Sequence, residues 1–197
     1  VDVKLHTNLF EASQKGEEYD LRTIFDHTLV KNHPESAVTF VENHDTQRGQ
    51  ALESTVEEWF KPAAYALILL RESGLPCIFY GDYYGISGEF AQQDFQEEID
   101  KLLDLRLNLA YGEETDYFDD PNCIGWTRAG QDGGQPIAVL ISNATATSKR
   151  MYFGQDWSGH ECSDYLGNCQ TIVTIDEEGW GEFPVEEQSV SVWSIKN

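Results

Sequence analysis

Two short, strongly apolar segments separated by a helical segment constrain the fold more than any other feature of this sequence. Residues 37–42 (AVTFVE) and 76–80 (PCIFY) are rich in β-branched and aromatic side chains, which is typical of strands covered on both faces of a parallel sheet. Between them, Pro62 suits the first turn of a helix and Gly74 suits its end. The order strand, helix, strand predicts a βαβ unit with parallel strands.

The sequence pattern changes in the second half of the chain. A helix is predicted over residues 97–110, where leucines give wide apolar coverage. From about residue 117, short alternating segments follow one another, bounded by turn residues: IGWTRAG, PIAVLIS, KRMYFG, TIVTI and SVSVWSI. We therefore predict two domains, an α/β domain over residues 1–112 and an all-β domain, an antiparallel β-sandwich, over residues 113–197.

Charge and hydropathy exclude two classes of partner. Thirteen Lys and Arg against 35 Asp and Glu give a net charge of −22, so the long-range field repels phosphate backbones and anionic lipids. The longest apolar run, residues 63–70, is far shorter than the roughly 20 residues that cross a bilayer. We expect neither nucleic acid nor membrane as a partner.

The four cysteines do not form a metal-binding motif. None stands in a CxxC pair, and the histidines show no metal-ligand spacing, so zinc is not expected. Cys162 and Cys169 flank a short turn-like segment and could face each other across a hairpin. A disulfide between them and two free thiols both remain possible at this point.

Polar side chains follow both predicted strands, at the positions where parallel sheets place functional groups. Residues 43–47 (NHDTQ) follow the first strand and residues 81–85 (GDYYG) follow the second. Asn, His and Asp directly after a buried strand are costly unless they are hydrogen-bonded. They form either a satisfied turn or a functional site, and the spacing alone does not decide between the two.

A series of motifs carries a family resemblance. Residues 40–47 (FVENHDTQ) resemble the FVDNHD motif at the end of the seventh barrel strand of α-amylases, with Glu42 in place of the usual Asp. Further matches to the liquefying and bacterial cytoplasmic α-amylases of glycoside hydrolase family 13 follow in order: WFKP (59–62), AYALILLRE (64–72), FYGDYYG (79–85), PNCIGWTR (121–128) and SVSVW (189–193). The resemblance covers nearly the whole chain.

The resemblance implies the C-terminal part of a (β/α)8 TIM barrel followed by a β-sandwich. Residues 1–6 would be the sixth barrel strand or its end, residues 37–42 the seventh and residues 76–80 the eighth. In the family, the nucleophilic Asp and the acid/base Glu come from the fourth and fifth strands, so we expect them in an N-terminal part of the same enzyme. This chain alone is predicted to be inactive.

The implied activity is endo-hydrolysis of α-1,4-glucosidic bonds in starch, glycogen and maltooligosaccharides by a retaining mechanism. Another member of the clan, such as an α-glucosidase or a maltogenic amylase, is the alternative within enzymes. A noncatalytic glucan-binding fragment is the alternative outside them. The compartment stays open, with a slight preference for the cytoplasm.

By the same resemblance, Asp45 would stabilise the transition state and His44 would donate to a hydroxyl of the same sugar. Gln47 is a weaker candidate for substrate binding. Tyr83 and Tyr84 could stack on glucose rings or serve packing alone. The alternative is that Asp45 caps the following loop and His44 is an interior histidine. His6 is predicted to lie at a strand end, near the site.

A calcium ion between barrel and sandwich is the implied cofactor. The matching ligands are the backbone oxygens of Glu17, Tyr19 and Pro121 and the side chains of Asn122 and Asn143. Members that bind this ion commonly have Asp at the two Asn positions. Since hard cations prefer charged oxygen ligands, two Asn residues predict a weakened site.

Overall fold

The computed structural model describes residues 1–196, and the chain divides into two compact units, Val1–Leu103 and Asp104–Asn197. Each unit is described by itself. No helix in the described part of the chain is long and apolar enough to cross a membrane.

The first unit begins with a helix, α1 (Val3–Lys15). Asp2 caps it, because one carboxylate oxygen accepts the Leu5 N–H at 3.0 Å and the other accepts the Val30 N–H at 2.7 Å. Leu5 and Leu9 are buried along one face. The prediction of a strand over all of residues 1–6 is therefore wrong, since a buried N-cap starts a helix within the first three residues. The alternative, that these residues form the end of a strand, stays a prediction; the Asp2 N–H donates to the Val38 carbonyl at 2.7 Å.

Two parallel strands and the helix between them confirm the predicted βαβ order. Strand β1 (Val38–Phe40) pairs with β2 (Leu75–Cys77) in parallel. A short helix, α2 (Leu29–Asn32), precedes β1, and α3 (Lys61–Leu69) lies between β1 and β2 with a Pro in its first turn. Both strands are shorter than predicted.

Two helices end earlier than predicted: the helix between the two strands, and the helix predicted over residues 97–110. Helix α3 ends at Leu69 with Leu70 as its C-cap, and Gly74, at φ 91°, lies in the turn before β2. After β2 the chain forms α4 (Tyr80–Tyr84) and then α5 (Gln96–Asn108). The buried apolar face of α5 is narrower than predicted, because Leu107 is 68% exposed.

The second unit is built of antiparallel strands, as predicted. The strands are β3 (Glu114–Asp120), β4 (Cys123–Arg128), β5 (Ile137–Ser142), β6 (Thr147–Tyr152), β7 (Glu161–Asp164), β8 (Val173–Thr174), β9 (Trp180–Val185) and β10 (Ser189–Ile195). Six of them form one sheet in the order β3-β4-β5-β10-β7-β8, and β6 pairs with β9 in a second sheet. The sequence pattern does not predict β3, β7 and β9.

The core of this unit joins side chains from both sheets, which makes it a sandwich. Leu140 and Trp193 from the large sheet pack with Met151 and Phe183 from the small one. Gly125 permits this packing, because a Cβ atom there would lie 2.8 Å from the Met151 Sδ. Residues with alternating burial on β6 and β9 follow the period of two expected for a sheet with one covered face.

The possible disulfide between Cys162 and Cys169 does not form, and all four cysteines are free thiols. The turn between the two is organised by Asp164 instead. Its carboxylate accepts the N–H groups of Leu166, Asn168 and Cys169 at 2.9–3.1 Å. Burial raises the pKa of the Cys162 thiol to about 12, so this thiol is unreactive at neutral pH.

Candidate functional site

The motif that follows β1 forms a tight turn organised by Asn43. Its side-chain oxygen accepts the backbone N–H of Asp45 at 2.9 Å and that of Thr46 at 3.0 Å. The Gln47 N–H returns to the Asn43 carbonyl at 3.2 Å. This is an Asx turn, in which the Asn side chain satisfies the backbone. Asn43, rather than Asp45, therefore caps the turn.

His44 and Asp45 both project from this turn towards solvent. Their side chains are 84% and 59% exposed, and the His44 Nε2 lies 3.5 Å from Asp45 Oδ1. His44 is thus not an interior histidine. Gln47 is half-buried on the same turn. The turn presents one carboxylate and one imidazole side by side at the carboxyl end of a parallel strand, available to a ligand.

The interior histidine of this region is His6. It is buried on α1, its Nδ1 lies 2.7 Å from the Val41 carbonyl, and its ring stacks on Phe40 with centroids 5.2 Å apart. Nε2 lies 2.8 Å from the Ser54 hydroxyl. Burial lowers the pKa of His6, so the neutral ring supports the end of β1. It lies on a helix, not at a strand end, and contacts the end of β1 just before the exposed turn.

Beneath the turn lies a buried ionic cluster that the sequence interpretation missed. The side chains of Glu42, Lys61 and Asp82 are fully buried. The Lys61 ammonium donates to Asp82 Oδ1 and lies 3.6 Å from Glu42 Oε2. Tyr65 and Gln92 donate to Asp82 at 2.6 and 2.8 Å. One cation from α3 thus joins carboxylates that follow β1 and β2.

The cluster also reaches the exposed turn. Glu42 Oε1 accepts the Thr46 hydroxyl at 2.5 Å, and Glu42 Oε2 accepts the Val56 N–H at 3.2 Å. Desolvation raises the pKa of Glu42 to about 7, and the Thr46 and Lys61 contacts oppose that rise. Desolvation and the Asp82 carboxylate also raise the pKa of Tyr65 well above its usual value, so this phenol stays a donor.

One signal in the sequence points to this cluster. Each of its three charged residues adjoins a strongly apolar run: Glu42 ends AVTFV, Lys61 precedes PAAYALILL, and Asp82 follows PCIFYG. Charged side chains inside such runs are rarely buried unless they are paired. Two acids and one base at three such places are therefore a signature of a buried ionic cluster.

An aromatic group follows β2 on α4. Tyr80 and Tyr84 are 72% and 60% exposed, with ring centroids 4.6 Å apart. The Tyr83 ring meets the Tyr84 ring edge-on, and its hydroxyl donates to Asp100 at 2.7 Å. Tyr83 is thus tied to α5, whereas Tyr84 offers an exposed ring face.

The predicted calcium ligands are found in both units. In the first, Glu17 lies in a 3₁₀ turn (Gly16–Glu18) and Tyr19 is its C-cap. In the second, the Asn122 Nδ2 donates to Asn143 Oδ1 at 2.8 Å, and Asn143 is fully buried. This amide pair uses one of the predicted ligand oxygens as an acceptor. Within residues 1–196 no group of three or more His, Cys, Asp or Glu forms a metal-binding cluster. Calcium binding stays a prediction.

Comparisons with known proteins agree with the motif series. Residues 137–194 match the family described as Alpha-amylase C-terminal. The chain is 49% identical over 197 residues to a glucan 1,4-alpha-maltohexaosidase of Bacillus sp. (strain 707), covering 99% of this chain and 38% of that protein. It is 48% identical over 194 residues to an alpha-amylase of Geobacillus stearothermophilus, covering 98% of this chain and 35% of that protein.

A solved structure shows the same fold. Alpha-amylase I from Eisenia fetida matches 97% of this chain and 48% of its own with a TM-score of 0.69, at 16% sequence identity. The antiparallel second unit is thus the all-β C-terminal domain of an α-amylase-type protein. Nearly the whole chain is 44–49% identical to curated relatives of this kind, and it spans about two fifths of their length.

Proposed function

We propose that this chain is the C-terminal portion of an enzyme that cleaves α-1,4-glucosidic bonds inside starch, glycogen and maltooligosaccharides with retention of configuration. The first unit supplies the last part of a (β/α)8 barrel, with β1 and β2 as its seventh and eighth strands. The parallel pairing of these strands and the helix between them support that assignment. The names of the relatives, an alpha-amylase and a maltohexaosidase, support the substrate class.

The observation that carries the proposal is the exposed pair His44 and Asp45 on a turn that is braced from below. Retaining hydrolysis needs a nucleophilic carboxylate and an acid/base carboxyl about 5 Å apart, and we assign both to residues outside this chain. Asp45 accepts hydrogen bonds from sugar hydroxyls at the cleavage site and stabilises the positively charged transition state. His44 donates to the same sugar, and Gln47 makes a further contact.

The test is hydrolysis of soluble starch by the full-length polypeptide that contains this chain. We expect mixed oligosaccharides from the first minutes, as endo-cleavage requires, and no hydrolysis by residues 1–197 alone. Glucose as the sole early product would instead indicate an α-glucosidase, and early maltose alone would indicate a maltogenic enzyme. Hydrolysis by residues 1–197 alone would contradict the assignment of the nucleophile and acid to another part of the polypeptide.

The fragment offers a second control. Mixing residues 1–197 with the separately produced N-terminal part should restore hydrolysis if the two parts assemble. A chain that bound glucan without that part, remained in solution and unfolded cooperatively would support the noncatalytic alternative.

A further inference from the structure

We propose that Thr46, held by the buried carboxylate of Glu42, is the positioning residue that sets the Asp45 carboxylate in place for the reaction. The inference rests on the proposed function, because it assigns the means by which the same site is held. It concerns the buried ionic cluster, which neither the family motif nor the exposed residues explain.

Hydrogen-bond directions link the buried Glu42 carboxylate to the turn above it. Both oxygens of Glu42 face donors: the Thr46 hydroxyl at Oε1, and the Val56 N–H and the Lys61 ammonium at Oε2. With Glu42 ionised, the Thr46 hydroxyl donates to Glu42 Oε1 at 2.5 Å in preference to the Asn43 carbonyl, which lies farther away at 3.3 Å. Its oxygen is then left to accept the Asn43 N–H, at 3.0 Å.

The hydrogen bonds continue from Thr46 through Asn43 to the exposed Asp45. Asn43, held through its N–H by Thr46, accepts the Asp45 N–H at 2.9 Å. The backbone of the exposed Asp45 is thus connected through two side chains to a buried carboxylate. Within residues 1–196, the contact given by the Asp45 side chain itself is with an exposed imidazole, at 3.5 Å. Its position depends on the turn rather than on packing.

The part of the buried cluster that supports Glu42 is rigid. Lys61 and Asp82 are buried, and Tyr65 and Gln92 hold the far carboxylate at 2.6 and 2.8 Å. A buried charge that is fully paired and hydrogen-bonded has little freedom to move. Side chains from three separate elements, the end of β1, α3 and α4, thereby hold the turn in a fixed position.

The chain offers a matched set of variants. Thr46→Val keeps the shape of the side chain and removes the hydroxyl, whereas Thr46→Ser keeps the hydroxyl. Thr39→Val makes the same change on β1 at a buried hydroxyl that has no hydrogen-bond partner within residues 1–196. The variants are compared in the full-length polypeptide at pH 8, where Glu42 is ionised, with starch as substrate.

We expect Thr46→Val to lower kcat about 10- to 100-fold with KM changed less than about threefold. A small misplacement of a group that acts in the transition state has an effect of this size and falls on kcat rather than KM. Thr46→Ser should have a kcat within about threefold of that of the wild type, and Thr39→Val should too.

Two results would overturn the inference: a Thr46→Val enzyme with wild-type kcat, or a folded Thr46→Ser enzyme as impaired as Thr46→Val. If Thr46→Val does not fold, Asn43→Ala is the second variant, because it removes the acceptor of the Asp45 N–H at a half-buried position. Wild-type kcat in Asn43→Ala would be equally contradictory. Failure of the proposed function is a separate result, in which the wild type itself does not hydrolyse starch.

Discussion

Replacing Lys61 by Met tests whether the buried cluster is ionic. Met fills nearly the same volume and removes the only cation that contacts both Glu42 and Asp82 among the described residues. Since all three side chains are fully buried, the substitution leaves two buried carboxylates without the counter-charge that they share. Removing one partner of a buried ion pair costs about 3–5 kcal/mol.

The assay is urea unfolding of the full-length polypeptide at pH 8, followed by tryptophan fluorescence. Lys61→Met should lower the free energy of unfolding by about 3–5 kcal/mol. Adding Asp82→Asn should recover part of the loss, because the double variant holds one buried charge fewer. The coupling between the two substitutions should exceed about 1 kcal/mol.

A matched control is Lys31→Met. Lys31 lies 2.7 Å from Asp26, but both side chains are about half exposed. Exposed pairs contribute about 0–1 kcal/mol, so this variant should unfold nearly like the wild type. Equal, small effects of Lys61→Met and Lys31→Met would refute the reasoning, because they would show that the two buried carboxyls carry no charge that needs a partner.

Two further predictions concern pH and calcium. Because burial raises the pKa of Glu42 from 4.5 to about 7, the folded state holds a proton at Glu42 that the unfolded chain releases. The contribution of Glu42 to the free energy of unfolding should therefore fall as pH rises from about 4.5 to 7, by about 3 kcal/mol, whereas His6, whose pKa burial lowers, acts in the opposite direction. The difference between wild type and Glu42→Gln in urea titrations at each pH isolates the Glu42 contribution, and a difference that does not change with pH would assign the slope to other groups. In the double variant Asn122→Asp, Asn143→Asp, the thermal midpoint should rise with added calcium and fall with chelator more than in the wild type. The reason is that carboxylates bind calcium more strongly than amides. Equal responses of the two proteins would argue against these two residues as ligands.

The parallel strands and most of the second unit could be predicted from the sequence, because apolar runs and alternation record burial directly. The helix that begins at Val3 could not, since the resemblance implies a strand or the end of one where the local signal is an N-cap: Asp2 accepts the N–H groups of both Leu5 and Val30. Strand β3 (ETDYFDD) escaped prediction because it is an edge strand with many exposed acidic residues, which lack an apolar alternation.

The candidate site, too, could be predicted from the sequence only in part. The motif located His44 and Asp45 at a strand end, and their exposure agrees with a ligand-facing position. The cluster beneath them depends on which side chains three separate segments bring together, and one sequence carries that information only as charges placed beside apolar runs. In the sequence, Glu42 is distinguished only as a departure from the family motif. In the structure its carboxylate reaches both Thr46 and the vicinity of Lys61.

The most direct measurement of the central claim is kcat of the Asp45→Asn enzyme on starch, together with its thermal midpoint. Asp26→Asn, a partly exposed carboxylate of the same unit, is the control. The account predicts that Asp45→Asn lowers kcat at least about 1,000-fold, a loss of about 4 kcal/mol in transition-state stabilisation, with little change in the midpoint. An Asp45→Asn enzyme as active as the Asp26→Asn control would contradict it.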